Sequence, residues 1–225
     1  MAQKAQNYKY YDLIIALFVA VLLISNISAV KLIDIGPIIT DGGAILFPLA
    51  YIFGDILTEV YGYKYTRRAI WTGFFAMAVA GFSFLVVGML PPNESWGNQE
   101  AYEAILGFVP RIFFASLVAY LFGEFINAYV LAKLKIKMGK EHLWVRLIGS
   151  TVAGQTIDTV VFGLIAFGGI LGITEMLNFV VVGIGFKISV EVLMLPITYR
   201  AINFLKKAEK ADAYDKTTDF SPLNL

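Results

Sequence analysis

Six apolar runs divide the chain, at about residues 12–30, 44–61, 69–90, 108–131, 147–171 and 176–199. A helical membrane span takes roughly 20 predominantly apolar residues, so each run is long enough to cross a bilayer. Little of the 225 residues is left over for a separate soluble domain. Composition agrees: 58% of residues are hydrophobic and 16% charged, against roughly 45–50% and 25% in ordinary soluble domains. The expected fold is therefore an all-α integral membrane protein with six transmembrane helices. The first run exceeds a signal-peptide core and is read as a retained span. The chain divides into a tail at 1–11, a transmembrane domain at 12–205 and a second tail at 206–225.

The second run is the least regular, because Pro48, Gly54, Asp55, Thr58 and Glu59 interrupt it. A broken helix is open there, and Pro196 raises the same question in the sixth run. The connection at 91–107 is the longest and is expected to carry a short surface helix over 98–106. The segment after Leu205 is polar and mixed in charge, which predicts a fraying helix followed by disorder.

Orientation follows from Lys and Arg, which collect on the cytoplasmic side. Lys4 and Lys9, then Lys64, Arg67 and Arg68, then Lys133, Lys135, Lys137, Lys140 and Arg146, then Arg200, Lys206, Lys207, Lys210 and Lys216 fall on one side. Lys31 and Arg111 alone lie at the other edge, whose connections carry Asp34, Asp41, Glu94, Glu100, Glu103 and Glu175. Both termini are expected in the cytoplasm. The net charge of +1 gives no footprint for a nucleic-acid partner.

With no cysteine and one histidine, His142, the chain offers no thiolate or imidazole metal site, and no cofactor is expected. His142 sits in a basic loop and is read as solvated. No Walker A sequence occurs, so ATP hydrolysis through a P-loop is excluded.

The informative residues are the charges inside the runs. A charged side chain in the hydrocarbon interior costs about 2.5–3.5 kcal/mol on insertion scales, so it faces a partner or a cavity. Asp55 and Glu59 are spaced i,i+4; Glu124 and Asn127 i,i+3; Gln155 and Asp158 i,i+3; Lys187 and Glu191 i,i+4. Each pair shares a helix face, and at about 1.5 Å per residue most lie at similar depth. Four polar faces at one depth make a central binding cavity. Asn26 on the first span is a further candidate, nearer the outer surface. Two roles are open to Lys187: an ion pair with Glu191, or a donor pointing into the cavity. Glu59, beside Arg67 and Arg68, is open to a structural ion network at the helix end. Tyr51-Ile52-Phe53-Gly54-Asp55 also echoes Tyr120-Leu121-Phe122-Gly123-Glu124, and an internal repeat would place Asp55 and Glu124 equivalently.

Phe47-Pro48 followed by Gly54-Asp55-Ile56-Leu57-Thr58-Glu59-Val60-Tyr61-Gly62-Tyr63, then Gln155-Thr156-Ile157-Asp158-Thr159 with Phe162, then Phe186-Lys187 with Glu191 and Pro196, resemble the queuosine precursor transporters, a vitamin-uptake family. The resemblance implies six helices similar to the substrate-binding subunits of energy-coupling-factor transporters. It implies inner-membrane uptake of 7-cyano-7-deazaguanine (preQ0) or 7-aminomethyl-7-deazaguanine (preQ1) for queuosine modification of tRNA. The residues themselves are compatible with that substrate, since a carboxylate can accept from adjacent N–H donors of a guanine-like edge. The expected partners are this small molecule and the lipid bilayer, with a homodimer or an energising module left open. The expected substrate-binding set is Asn26, Asp55, Glu59, Glu124, Asn127, Gln155, Asp158, Lys187 and Glu191, with no catalytic residue in a chain that is not an enzyme. Two alternatives stand beside it: a binding subunit that needs a separate ATPase, and an intramembrane aspartyl hydrolase using Asp55 and Asp158, whose Gly-x-Gly-Asp context is missing here.

Overall fold

Long apolar stretches form long helices, and their ends fall where polar residues and glycines begin. The structure, a computed structural model, describes residues 8–35, 38–107 and 110–224. Its helices are α1 (Tyr11–Ser28), α2 (Gly43–Tyr61), α3 (Tyr63–Met89), α4 (Gln99–Leu106), α5 (Pro110–Met138), α6 (Leu143–Phe167) and α7 (Ile173–Glu209). Two short strands, β1 (Leu32–Ile35) and β2 (Ile38–Asp41), pair antiparallel between α1 and α2. This hairpin was not expected; it makes the fold helical with one small β element. Residues 1–7 of the N-terminal tail, residues 108–109 of the fourth run and the side chains of Asp34 and Asp41 lie outside the described set.

Among the described residues, five segments are long and apolar enough to cross a membrane: Tyr11–Ser28, Tyr63–Met89, Gln99–Met138, Leu143–Phe167 and Ile173–Glu209. Their outward faces carry large apolar side chains, including Phe75, Val79, Phe82 and Val86 on α3 and Leu177, Val181, Leu193 and Ile197 on α7. Contiguous apolar area of this extent is foreign to a soluble monomer and suits lipid. Pro48 and Pro196 break neither helix: α2 and α7 run on through them. The surface helix in the long connection is present as α4.

The helices form a bundle with two ends. At one, the start of α5 meets the end of α6: Arg111 donates to the carbonyls of Ile165 (2.5 Å) and Gly168 (2.5 Å), satisfying the last turn of α6. At the other, both described chain ends meet, and Glu209 accepts from the backbone N–H groups of Lys9 (2.8 Å) and Tyr10 (2.6 Å). The apolar core lies between α1, α2, α3 and α5, with Phe18, Leu22, Leu57, Ile70, Tyr120 and Leu131 fully enclosed. α5 and α6 approach closely because Gly123 and Gly154 face each other. A Cβ on Gly154 would lie 2.9 Å from the Gly123 carbonyl oxygen and 2.7 Å from the Asn127 Cβ, so any larger residue would force the helices apart.

Three expectations change at the terminal end. The segment after α7 is not disordered. It folds back over α2 and α3, where Ala213 N–H donates to Val60 O (3.2 Å) and Asp215 accepts from Tyr63 N–H (2.9 Å) at the start of α3. Gly62 makes that turn with φ of 86°, a region that favours glycine. Phe220 then packs on Tyr63 and Tyr129, with Lys133 Nζ 4.1 Å from its ring centroid. Second, the helix expected to fray after Leu205 stays regular to Glu209. Third, α5 and α6 reach to Met138 and Leu143, so Lys135 and Arg146 sit buried on helices and not in a cytoplasmic loop.

Candidate functional site

Burying a polar atom without a partner costs about 1–3 kcal/mol, so a cluster of such atoms needs a reason. Midway along the bundle, α2, α5, α6 and α7 bring Tyr51, Asp55, Glu124, Asn127, Gln155, Asp158 and Glu191 into one buried packet. Asp55, Glu124 and Glu191 lie within electrostatic reach of one another, as do Glu124 and Asp158. Helical spacing explains the convergence: each pair occupies one face, and the glycines at 54, 123 and 154 let the faces close. A Cβ at Gly54 would fall 2.7 Å from Glu124 Oε2, so the Glu124 carboxyl lies directly against the α2 backbone.

Part of the packet is satisfied from within the protein. Asn127 Nδ2 donates to Asp55 Oδ1 (2.8 Å). Thr151 Oγ1 donates to Glu191 Oε1. Lys187 Nζ donates to Asp158 Oδ2 (2.7 Å) and to Thr159 Oγ1 (3.2 Å), and stands 5.2 Å from the Phe47 ring centroid. The rest is not satisfied. Both oxygens of Glu124, Asp55 Oδ2, Asn127 Oδ1, Gln155 Oε1 and Tyr51 Oη are buried without a hydrogen-bond partner. Five of these six are carboxyl or amide oxygens, and with the carboxyls ionised all five only accept, which leaves the packet short of donors.

The sequence-predicted residues divide three ways. Asp55, Glu124, Asn127, Gln155, Asp158, Lys187 and Glu191 meet in the packet. Of the two roles open to Lys187, the ion pair with Glu191 is not formed: α6 presents Asp158 to Lys187 and Thr151 to Glu191 at the same depth. Asn26 lies apart, between α1, α3 and α5, where its Nδ2 donates to Leu22 O (2.9 Å) and Met77 Sδ (3.4 Å), and its Oδ1 accepts from Ser116 (3.2 Å). Glu59 lies at the terminal end. Its Oε1 is 2.8 Å from Arg146 Nη2, 2.7 Å from Lys206 Nζ and 3.6 Å from Lys135 Nζ. Asp212, from the segment after α7, lies 2.7 Å from Lys135 and 2.8 Å from Lys206. Arg67 is no partner of Glu59; it donates to the carbonyls of Asp219 (2.9 Å) and Ser221 (2.6 Å). His142 is exposed, as expected, with Glu141 3.9 Å away.

Sequence reasoning passed over Tyr51 and Thr151. Tyr51 opens the repeated Tyr-x-Phe-Gly-acid block, and Thr151 stands four residues before Gln155, on the same face as Gln155 and Asp158; both signals were legible. Asp55 and Asp158 take different partners, Asn127 and Lys187, which gives no support to an aspartyl dyad.

Residues 41–201 match the family described as "Putative vitamin uptake transporter". The chain belongs to that family. The matched stretch contains the whole packet and Glu59, and leaves out Asn26 and the segment that follows α7. Curated relatives agree in kind. A "Probable queuosine precursor transporter" of Bacillus subtilis is 29% identical over 188 residues, 83% of this chain and 82% of the relative. A "Queuosine precursor transporter" of Escherichia coli is 30% identical over 128 residues, 57% of this chain and 55% of the relative. A "Probable queuosine precursor transporter" of Haemophilus influenzae is 26% identical over 125 residues, 56% of this chain and 51% of the relative. The match thus spans most of the first relative and about half of the other two. No solved structure matches the chain. Like the rest of this vitamin uptake transporter family, the chain is a multi-pass membrane transporter and not an enzyme.

Proposed function

We propose that this transporter imports a deazaguanine queuosine precursor, preQ0 or preQ1, across the inner membrane and holds it in the central packet during passage. The observation that carries the reading is the packet's surplus of partnerless acceptors. A guanine-like base supplies what they lack: a ring N–H and an exocyclic amine side by side, which suit a bidentate carboxylate. Glu124 takes that edge, and Asn127, Gln155 and Asp55 take the remaining donors. Asp158, Lys187 and Glu191 border the site and set its charge. Asn26 and Glu59 stand outside the binding set, since protein groups already hold them. The names of the curated relatives support the substrate class.

The transport unit is the region 12–205, with α2 as the sixth span beside the five apolar segments and both termini in the cytoplasm. The charge distribution along the connections supports that orientation. Buried carboxyls in the packet supply groups able to carry a proton, so a pH gradient is the expected energy source.

Radiolabelled preQ0 and preQ1 uptake by cells that cannot make them tests the reading. Wild type should accumulate label, Glu124→Gln and Asp158→Asn should accumulate far less, and unimpaired uptake in both variants would sink the assignment. Transport by the purified chain alone in proteoliposomes separates it from a subunit that depends on an ATPase, and collapse of the pH gradient should stop it.

A further inference from the structure

Among the six partnerless atoms of the packet, one differs in kind. Carboxylate and amide oxygens only accept hydrogen bonds, whereas Tyr51 Oη can also donate. A tyrosine hydroxyl ordinarily titrates near pH 10 and so keeps its proton at working pH. Tyr51 is fully buried and held between two helix backbones: a Cβ on Gly123 would lie 2.6 Å from Oη, and one on Gly154 3.2 Å from the ring Cε1. Its hydroxyl is therefore fixed beside the acceptors and cannot swing to another partner. We propose that Tyr51 is a specificity residue, donating to an oxo group of the substrate next to the N–H edge that Glu124 reads. The inference rests on the reading of the packet as a base-binding site.

Replacing the oxo group by a thioketone keeps the ring N–H and the amine but leaves a much weaker acceptor. Uptake of labelled preQ1 by full-length protein, competed by unlabelled 7-deazaguanine or by 6-thio-7-deazaguanine, reads the preference directly. Wild type should favour the oxo competitor by about 10-fold, the factor that corresponds to one hydrogen bond of about 1.4 kcal/mol. Tyr51→Phe should bring the two competitors level. Gly123→Ala, whose new Cβ would meet Oη, should do the same, while Glu124→Gln should weaken both competitors and keep their ratio. The ratio is internal to one preparation, so a lower yield of a variant leaves the readout intact. A Tyr51→Phe protein that keeps the wild-type preference would overturn the role of Tyr51 alone; a wild type that accumulates no precursor would overturn the base-binding reading itself.

A different observation carries a second inference. The segment 211–224 binds four helices at the terminal end. It reaches α2 through Val60 O, α3 through Tyr63, Arg67 and Trp71, and α5 and α7 through the contacts of Asp212 with Lys135 and Lys206. A carrier must part its helices at each end in turn, and helices tied by one segment cannot part. We infer that this segment is a strap that keeps the terminal end closed, and that its release opens the packet toward that side. Because the chain has no cysteine, Thr198→Cys, buried on α7 between Glu191 and Lys206, gives a single reporter for a membrane-impermeant methanethiosulfonate in vesicles of either orientation. Adding Asp212→Asn with Asp215→Asn, or truncating after Lys210, should raise the labelling rate at least 10-fold from the terminal side only. An unchanged rate in both, or a rise equal from the two sides, would overturn the strap.

Discussion

The bundle holds two buried polar clusters that invite comparison. At the terminal end, the Glu59 carboxylate accepts from Arg146 and Lys206, Lys135 donates to the Glu59 backbone carbonyl, and Asp212 binds the two lysines from the other side. Midway along the bundle, Glu124 is just as deeply buried and has no partner. Both carboxyls are fully enclosed on long helices, so burial alone does not distinguish them. Satisfaction does. A network whose charges are met from within the protein ties helices together, and acceptors left open are available to something that arrives from outside. The comparison also explains why Arg146 is fixed so firmly: its Nη1 donates to Gly139 O (2.8 Å) and Glu141 O (2.6 Å), which pins the turn between α5 and α6 to the same cluster.

If that distinction is right, the two acids should fail in opposite ways. Glu59→Gln leaves three cations around a neutral side chain, and breaking a buried ion pair from one side costs about 3–5 kcal/mol. The expected result is the largest loss of stability of any substitution considered, read as a fall in thermal midpoint in detergent and in the amount of protein in the membrane. Glu124→Gln removes no internal hydrogen bond, so its thermal midpoint should stay at or above that of wild type. Its uptake should fall instead, by about 10- to 100-fold, because a hydrogen bond to a charged group is worth about 1.5–3 kcal/mol. Equal destabilisation in the two variants would erase the contrast.

The outline of the fold was legible because hydropathy and helix length are tied directly to a bilayer. The acids of the packet were legible for a related reason: a charge inside an apolar run is costly enough to need a cause. Partner choice was not legible. Lys187 and Glu191 are correctly spaced for an intrahelical pair, but α6 offers Asp158 and Thr151 across the packing interface, and spacing along one helix says nothing about its neighbour. The pairing of Lys135, Arg146 and Lys206 was not legible either, because a rule that counts charge near span ends does not ask whether a partner acid lies at the same level. The segment after α7 was misread because its composition is polar; its order comes from Asp212, Asp215 and the ring of Phe220 meeting groups far away in sequence. The hairpin between α1 and α2 is too short to register as alternation.

The Lys187–Asp158 pair sharpens the comparison, because it lies in the packet yet is satisfied. Its side chains are 20% and 6% exposed, so the acid is enclosed and the lysine only partly so. Asp158→Asn and Lys187→Met should each lower stability, and the double variant should cost less than the two singles together. The coupling should be about 1 kcal/mol or more, the upper end for exposed pairs, and a double-mutant cycle on thermal stability measures it. Additive losses would mean that the two groups serve the packet separately.

The smallest effect concerns acid. Burial by itself pushes the Asp212 carboxyl up, but the hydrogen bonds and charges of Lys135 and Lys206 outweigh it and hold it below the ordinary 3.8. A docked Asp212 thus takes up a proton less readily than a free one, so protonation favours the undocked segment. The stabilisation is complete above the ordinary carboxylate value and is lost as the pH falls below it, through the lower docked value. Asp219 is also held low, but by Asn224 and Ser221 of the same segment, so its bonds can travel with the segment when it leaves. Protease cleavage within 211–224 should therefore stay constant between about pH 8 and pH 5, and increase only below about pH 4, where linkage to Asp212 begins. In Asp212→Asn the segment should be cut faster at every pH, with the Asp212-linked acid step removed. A step already present near neutral pH would assign the hold of the segment to some group other than Asp212, and would separate the strap from the ion network that Glu59 anchors.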